Sequence, residues 1–366
     1  MQEISKLKEI VVQFVGDSEE IDVKPLGAGH INDSYKVKAG EKEYVLQRIN
    51  HSIFKNVPKL QSNILRVTMH IRQKLMDAGV NDIDRKVLTL VPTPGGKLFY
   101  QDAEGSYWRM MDFIRDSKSY DEINPELAYR AGLAFGEFQK MLADLPGDPL
   151  FETIPNFHNI ESRLETFRDS VRANKVGRLV EVQDLVSELE ARADEMCKAE
   201  RMHREGKLIK RTNHCDTKVN NILFDKNDQV LCVVDLDTVM PGYVLSDFGD
   251  FIRTGANKGA EDDQDLDNVS LDLAIFEGYT KGYLENAASF LTEVEIENLA
   301  FGAKLLTYMQ TVRFLTDYID GDTYYKIAYG NHNLVRSKAQ FKFLQSLEQN
   351  FDRMQEIVLS TAEKYR

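Results

Sequence analysis

The residues able to do chemistry crowd most closely into His214-Cys215-Asp216-Thr217-Lys218-Val219-Asn220-Asn221-Ile222-Leu223-Phe224-Asp225, followed by Val233-Val234-Asp235-Leu236-Asp237. Asp216 and Asn221 have the D-x-x-x-x-N spacing of a phosphoryl-transfer loop, where the carboxylate orients a hydroxyl and the amide oxygen holds a metal. Lys226-Asn227-Asp228-Gln229 is a turn sequence between two β-like runs, so residues 219–238 read as a hairpin. Pairing Asp225 with Val230 sets Asp235 across from Asn220, beside Asn221 and about one strand spacing (roughly 5 Å) away. An amide oxygen and a carboxylate so placed suit Mg²⁺, which takes few protein ligands and leaves the rest to phosphate oxygens and water. Asp237, two residues further along the same strand face, is a candidate second ligand. Singly, each Asp or Asn would be a turn or cap residue; the spacing and the return of the hairpin make the set catalytic.

Upstream, Gly27-Ala28-Gly29-His30-Ile31-Asn32-Asp33 joins two predicted strands. A glycine pair lets backbone N–H groups approach phosphate without obstruction by Cβ. Alone this is an ordinary hairpin turn, and the downstream loop makes it a candidate nucleotide loop. Asp247-Phe248-Gly249 spells the metal-binding triplet of protein kinases, but it lies past Pro241-Gly242 in a loop leading to a helix. The metal role therefore falls to Asp235, and Asp247 either caps a helix or braces the catalytic loop. No reaction partner is spelled out for Cys215 as a nucleophile, and His214 sits where a loop brace belongs.

These groups need a scaffold. An apolar stripe over Ile4–Val15 predicts a first helix, and 21–49 alternates as strands about a Gly40 turn. A helix follows over 58–78, then three short extended segments, VLTLVPT, KLFYQD and YWRMMDFI. Beyond Asp112 the pattern turns helical: 125–145 is amphipathic, 159–204 is a charged helix pair, and helices run from about 268 to the end. The division is a sheet-rich nucleotide region, 1–112, and a larger helical region, 113–366, with the catalytic loop. Among 366 residues, 59 acids against 46 bases leave a net charge of −13, which argues against nucleic acid or an anionic membrane as partner. No apolar run suits a membrane span, no secretory leader is visible, and three cysteines are too few for a disulfide framework. A soluble cytoplasmic protein is expected.

The order of Gly-rich hairpin, sheet, WRMMDFI, His-x-Asp-x4-Asn and Val-Asp-x-Asp resembles the choline kinase and aminoglycoside phosphotransferase superfamily over essentially the whole chain. GAGHIND, HCDTKVNNILFD, VVDLDTVMPGYVLSDFGDFIRTGAN and RFLTDYIDGDTYYKI are similar to the N-acetylhexosamine 1-kinases. The resemblance implies an α+β, two-lobed protein-kinase-like fold with a small antiparallel-sheet N-lobe and a larger, mainly helical C-lobe. It implies ATP and Mg²⁺, and a small-molecule sugar phosphorylated at its C1 hydroxyl. Asp216 matches the catalytic base, and Asn221 and Asp235 match the metal ligands. Gly27, Gly29, Asn32, Gln47, Arg48, Met111, Asp112 and Ile114 fall on the nucleotide side. Arg313 and Tyr324 match positions that contact the sugar; His30 either reaches the sugar or γ-phosphate or fills a corner of the sheet. One departure is that Gln47 holds the place of the usual strand lysine, and the following helix, 58–76, carries no acid to pair with one. A choline- or aminoglycoside-type kinase and a non-catalytic binding relative are the alternatives.

Overall fold

The computed structural model describes residues 2–16, 20–27 and 31–366. In chain order these form α1 (Gln2–Val15), β1 (Ile21–Pro25), β2 (Asp33–Ala39), β3 (Lys42–Ile49), α2 (Val57–Asp77), β4 (Leu90–Val91), β5 (Tyr100–Gln101) and β6 (Tyr107–Asp112). Next come α3 (Pro125–Leu142), α4 (Ile160–Ala173), α5 (Gln183–Met196), α6 (Lys198–Arg204), β7 (Arg211–Asn213), β8 (Ile222–Phe224), β9 (Val230–Val233) and β10 (Met240–Gly242). The chain finishes with α7 (Val244–Gly255), α8 (Leu273–Ala287), α9 (Glu293–Glu297), α10 (Leu299–Asp320), α11 (His332–Gln349) and α12 (Phe351–Tyr365). The class is the expected α+β, an antiparallel sheet toward the N-terminus and helices toward the C-terminus. No helix among the described residues is long and apolar enough to cross a membrane.

Contacts group the chain into two compact units. The first takes residues up to Lys118, then 144–155 and 223–240; the second takes 119–143, 156–222 and 241–366. The grouping is interleaved rather than a single cut at residue 112, because main-chain and amide hydrogen bonds tie the later segments to the sheet unit. Lys118 and Phe224 exchange backbone bonds of 2.9 and 2.8 Å, Lys86 Nζ reaches the Val230 carbonyl at 3.0 Å, and Asn63 bonds the Phe151 carbonyl at 2.7 Å.

In the first unit the six-stranded sheet runs β1-β2-β3-β6-β4, with β5 also paired to β6, and these pairings are antiparallel. Strand alternation sends Val37, Leu46, Trp108 and Met110 to one face, where Leu7, Ile10, Val11 and Phe14 of α1 cover them. Each such side chain contributes roughly 1.5–3 kcal/mol of burial free energy. The same alternation turns Gln47 and Arg109, register partners on β3 and β6, to the other face. Asn56 caps α2 by accepting from the Lys59 N–H, with Pro58 in the first turn where its missing donor costs nothing.

The second unit is built on helices that meet backbone to backbone. A Cβ on Gly132 of α3 would lie 2.3 Å from the Tyr279 carbonyl oxygen of α8, and one on Gly249 of α7 would lie 2.1 Å from the Gly302 oxygen of α10. α10 is buried on nearly all sides, which its apolar circumference demands. Phe248, Phe251, Tyr279 and Tyr283 fill the space around α7, with Phe251 stacked on Tyr279 at 3.8 Å.

Candidate active site

The candidate catalytic loop leaves β7 at Asn213 and is set by α7. Asp247, in the first turn of that helix, is fully buried and accepts from the backbone N–H groups of His214 and Cys215, each at 2.8 Å. Its Oδ2 also accepts from Gln139 Nε2 of α3 at 2.7 Å, and the Gln139 carbonyl oxygen in turn accepts from the Tyr283 hydroxyl. One turn on, Asp250 accepts from the Thr217 N–H at 3.1 Å, while the Thr217 hydroxyl donates to the Asp247 carbonyl at 2.6 Å. Of the two roles open to Asp247 in the sequence, the structure shows the loop brace. The rest of that triplet is packing: Phe248 is buried and Gly249 is the α10 contact.

This brace holds a strained backbone. Cys215 sits at φ +65°, a left-handed conformation that costs a residue with a Cβ about 1–2 kcal/mol. Burial pushes the Asp247 carboxyl above its usual value, against the bonds from the loop and the nearby His214. The His214 ring lies edge-on to Phe135 and Phe138 at 5.6 and 5.7 Å, and its Nδ1 accepts from the Asp216 N–H at 3.3 Å. His214 is thus the expected brace, and Cys215 a buried bystander.

Asp216 follows at the loop's open side. Burial alone would push its carboxyl up, but Lys218, with Nζ 3.1 Å from Oδ1, outweighs burial together with His214 and the Asn221 amide. The carboxyl is held below the usual carboxylate range, so Asp216 is an anion at neutral pH. Asn221, at the end of a short 3₁₀ turn, donates Nδ2 to the Asp216 carbonyl at 2.8 Å and to its carboxylate at 3.2 Å. Spending the amide nitrogen this way directs Oδ1 elsewhere, as an acceptor of the hard-oxygen kind Mg²⁺ prefers. By donor type, an amide oxygen such as this and a carboxylate such as that of Asp235 are both ligands that ion accepts.

Asp235 departs from the sequence expectation. β9 ends at Val233, so Asp235 and Asp237 do not share a strand face; Asp235 is left-handed at φ +59°, and Leu236–Thr238 is a 3₁₀ turn. The physical cause is Asp237, which is buried and engaged. Arg109 Nη1 donates to its Oδ1, and Asn32 Nδ2 donates to its Oδ2 at 2.6 Å. Asn63 of α2 donates to the Val239 carbonyl at 3.1 Å. Removing one partner of such a buried ion pair costs about 3–5 kcal/mol.

The expected nucleotide-side residues separate. Gly27 takes φ +66°, which a glycine adopts freely, while Gly29 and His30 lie outside the described residues. Asn32 and Gln47 meet through the Arg109–Asp237 pair, since the Gln47 carbonyl oxygen accepts from Arg109 Nε and Nη2 at 2.9 and 2.7 Å. Arg48, on the opposite face of β3, pairs instead with Asp33 at the surface. Met111 and Asp112 end β6, and Met111 and Ile114 are buried.

On the side of the second unit expected to hold the acceptor, the Arg313 guanidinium lies over the rings of Phe157 and Tyr325 at 5.2 and 5.6 Å. Tyr324 is exposed and edge-on to Tyr325, its backbone fixed by Asp317. Arg163 Nη2 donates to the Phe157 carbonyl at 3.0 Å. Burial, with Arg313 nearby, pushes Arg163 down to about 10, and burial pushes His158, stacked on Phe157, down to about 4. Among the described residues neither Arg163 nor Arg313 forms an ion pair, so this corner offers donors to an acceptor-rich molecule.

A family model described as a phosphotransferase enzyme family matches residues 22–283, well over half of the chain. The chain belongs to that phosphotransferase family. Among solved structures, this phosphotransferase is similar to an aminoglycoside phosphotransferase from Alicyclobacillus acidocaldarius, with 12% identity over 94% of this chain and 96% of that one, at a TM-score of 0.58. It is similar to a choline/ethanolamine kinase family protein from Mesorhizobium loti, with 14% identity over 98% and 99% of the chains, TM-score 0.56. A spectinomycin phosphotransferase in complex with ADP and spectinomycin shares 15% identity over 98% and 97%, TM-score 0.50. At such identities the likeness is one of fold. The family model bears out the phosphotransferase part of the sequence resemblance.

Sequence reasoning passed over Arg109, Asn63, Gln139, Lys218 and Asp250. Arg109 had a signal, a lone charge inside the apolar run YWRMMDFI. Gln139 and Asn63 are polar positions on helices otherwise read for their apolar stripes, and only their distant partners reveal them.

Proposed function

We propose that this phosphotransferase carries the γ-phosphoryl group of ATP to the C1 hydroxyl of an N-acetylhexosamine, N-acetylglucosamine or N-acetylgalactosamine. The observation that carries the chemistry is Asp216, an anion held by Lys218 and Asn221 on a loop that α7 fixes. It takes or orients the proton of the sugar hydroxyl as the new O–P bond forms and the bond to ADP breaks. The anomeric hydroxyl is more acidic than an ordinary alcohol, so a carboxylate suffices and positioning supplies most of the rate. Asn221 and Asp235 would hold Mg²⁺, which when bound neutralises charge on the phosphates.

Gly27, Gly29, Asn32, Gln47, Arg48, Met111, Asp112 and Ile114 serve the nucleotide, in the N-terminal region. The ADP bound by the spectinomycin phosphotransferase supports that nucleotide. Arg313, Tyr324 and His30 serve the sugar. The choice of sugar rests on the runs GAGHIND, HCDTKVNNILFD and RFLTDYIDGDTYYKI. Arg163 and Arg313 favour it too, because choline and aminoglycosides are cations and a neutral sugar presents acceptors. The working compartment is the cytoplasm, where ATP and reduced cysteines coexist.

The test is ADP release with ATP and Mg²⁺ against a panel of hexosamines, choline and aminoglycosides. N-acetylhexosamines should be turned over, and Asp216→Asn should abolish turnover while ADP still binds. Silence with all hexosamines would refute the sugar assignment.

A further inference from the structure

In kinase-like folds a lysine on the third strand pairs with a glutamate on the next helix, and together they set the phosphate side of the site. Here β3 has Gln47 in the lysine's place, and α2 has no acid over 58–76. The structure fills the gap from the neighbouring strand. Arg109 is the register partner of Gln47, and its guanidinium gives two donors to the Gln47 carbonyl oxygen and one to Asp237. Both members of the ion pair are 2% exposed. A buried pair of this kind is rarely more stable than two apolar side chains of the same size, so its presence asks for a use other than stability.

That use is visible in what Asp237 touches. Its second oxygen accepts from Asn32, whose own Oδ1 accepts from the Asn50 N–H at 2.9 Å, so the carboxylate ties the end of the glycine loop to β6. It is also the middle residue of the Leu236–Thr238 turn, and Asn63 of α2 holds the far side of that turn by the Val239 carbonyl. Asp235, in its left-handed conformation, immediately precedes the held segment.

We propose that Arg109, held by Gln47 and paired with Asp237, replaces the absent lysine–glutamate pair as the positioning residue that fixes Asp235 and joins it to the glycine loop. Asp237 is then an anchor and not a second metal ligand. This rests on the phosphotransfer assignment with Asp235 as a metal ligand.

The experiment compares wild type, Arg109→Lys and the double variant Arg109→Met/Asp237→Leu. Thermal unfolding without ligands reports folding, and calorimetric titration with ADP, with and without Mg²⁺, reports the metal's contribution to nucleotide binding. The double variant removes both charges together but deprives Asn32 Nδ2 and the Gln47 oxygen of these partners, so it should fold with an unfolding temperature somewhat below the wild type. The Mg²⁺-dependent tightening of ADP should fall about 10- to 100-fold, the usual effect of losing a group that orients a metal ligand. Arg109→Lys restores charge without the fork and should recover part of that tightening. If the double variant does not fold, Arg109→Lys decides, because loss of Mg²⁺ linkage with an unchanged unfolding temperature supports the role. Full Mg²⁺ linkage in whichever variant folds overturns it. Absence of any ADP binding by the wild type would instead overturn the phosphotransfer assignment itself.

Discussion

Replacing Asp247 with Asn alters little in size and much in hydrogen bonding. Oδ2 accepts from the His214 N–H and Gln139 Nε2, and Oδ1 accepts from the Cys215 N–H. An amide has one acceptor oxygen. In its better orientation the oxygen keeps His214 and Gln139, and the amide nitrogen then faces the Cys215 N–H, donor against donor, in a buried site. The cost is one buried N–H left without an acceptor, about 1–3 kcal/mol. It falls at Cys215, already left-handed at φ +65°, so the loop relaxes there and carries Asp216 with it. The variant should lose about 1–3 kcal/mol in urea unfolding. Turnover should fall at least about tenfold, since each 1.4 kcal/mol of misplacement in the transition state is a factor of ten. The half-saturating Mg²⁺ concentration should stay that of the wild type, because Asp247 spends its oxygens on the loop. An unfolding curve matching the wild type, together with a large rise in that concentration, would refute the brace and make Asp247 a metal ligand.

Other perturbations probe the neighbouring parts. Lys218 helps hold the Asp216 carboxyl below its ordinary value, so the acid limb of kcat/KM should lie lower than burial alone would place it. Lys218→Met removes the lowering charge and leaves burial to raise the carboxyl, so the limb should move to higher pH; an unmoved limb would deny Lys218 this role. Gly249→Ala puts a Cβ 2.1 Å from the Gly302 oxygen, forcing α7 and α10 apart. It should cost about 3 kcal/mol or more, the upper end for overpacking, and unfolding within 0.5 kcal/mol of wild type would contradict the close approach. Cys215→Val places a β-branched residue in the left-handed region, where it should destabilise by more than about 2 kcal/mol and abolish turnover. Cys215→Gly relieves the strain and should retain activity, and equal behaviour of the two variants would refute the strained conformation.

Much of the fold was legible because periodicity reports the buried face. α1, α2 and α3 lie close to where their apolar stripes and caps put them, and the strands about Gly40 pair as alternation requires. The closeness of Asp216 and Asn221 was legible because they lie on one short loop, where spacing and geometry are nearly the same thing. Asp247 was legible as far as its two alternatives, and a hydrogen bond across 32 residues decided between them. The hairpin was found, but its end was misjudged: alternation continued the strand through Asp237, whereas the buried pair with Arg109 bends the chain at Asp235.

The sequence by itself determined most of the elements, the α+β class and membership of a phosphotransferase family, and it singled out the candidate loop of Asp216 and Asn221, all from residues near one another in the chain. Only the tertiary structure decided which groups support that loop and which hold the turn after Asp235. Gln139, Asp247 and Tyr283 come from three helices, and Asn32, Asn63, Arg109 and Asp237 come from four separate segments. A buried polar group must find a partner wherever the fold places one. That partner's distance along the chain is set by topology, which no local pattern records.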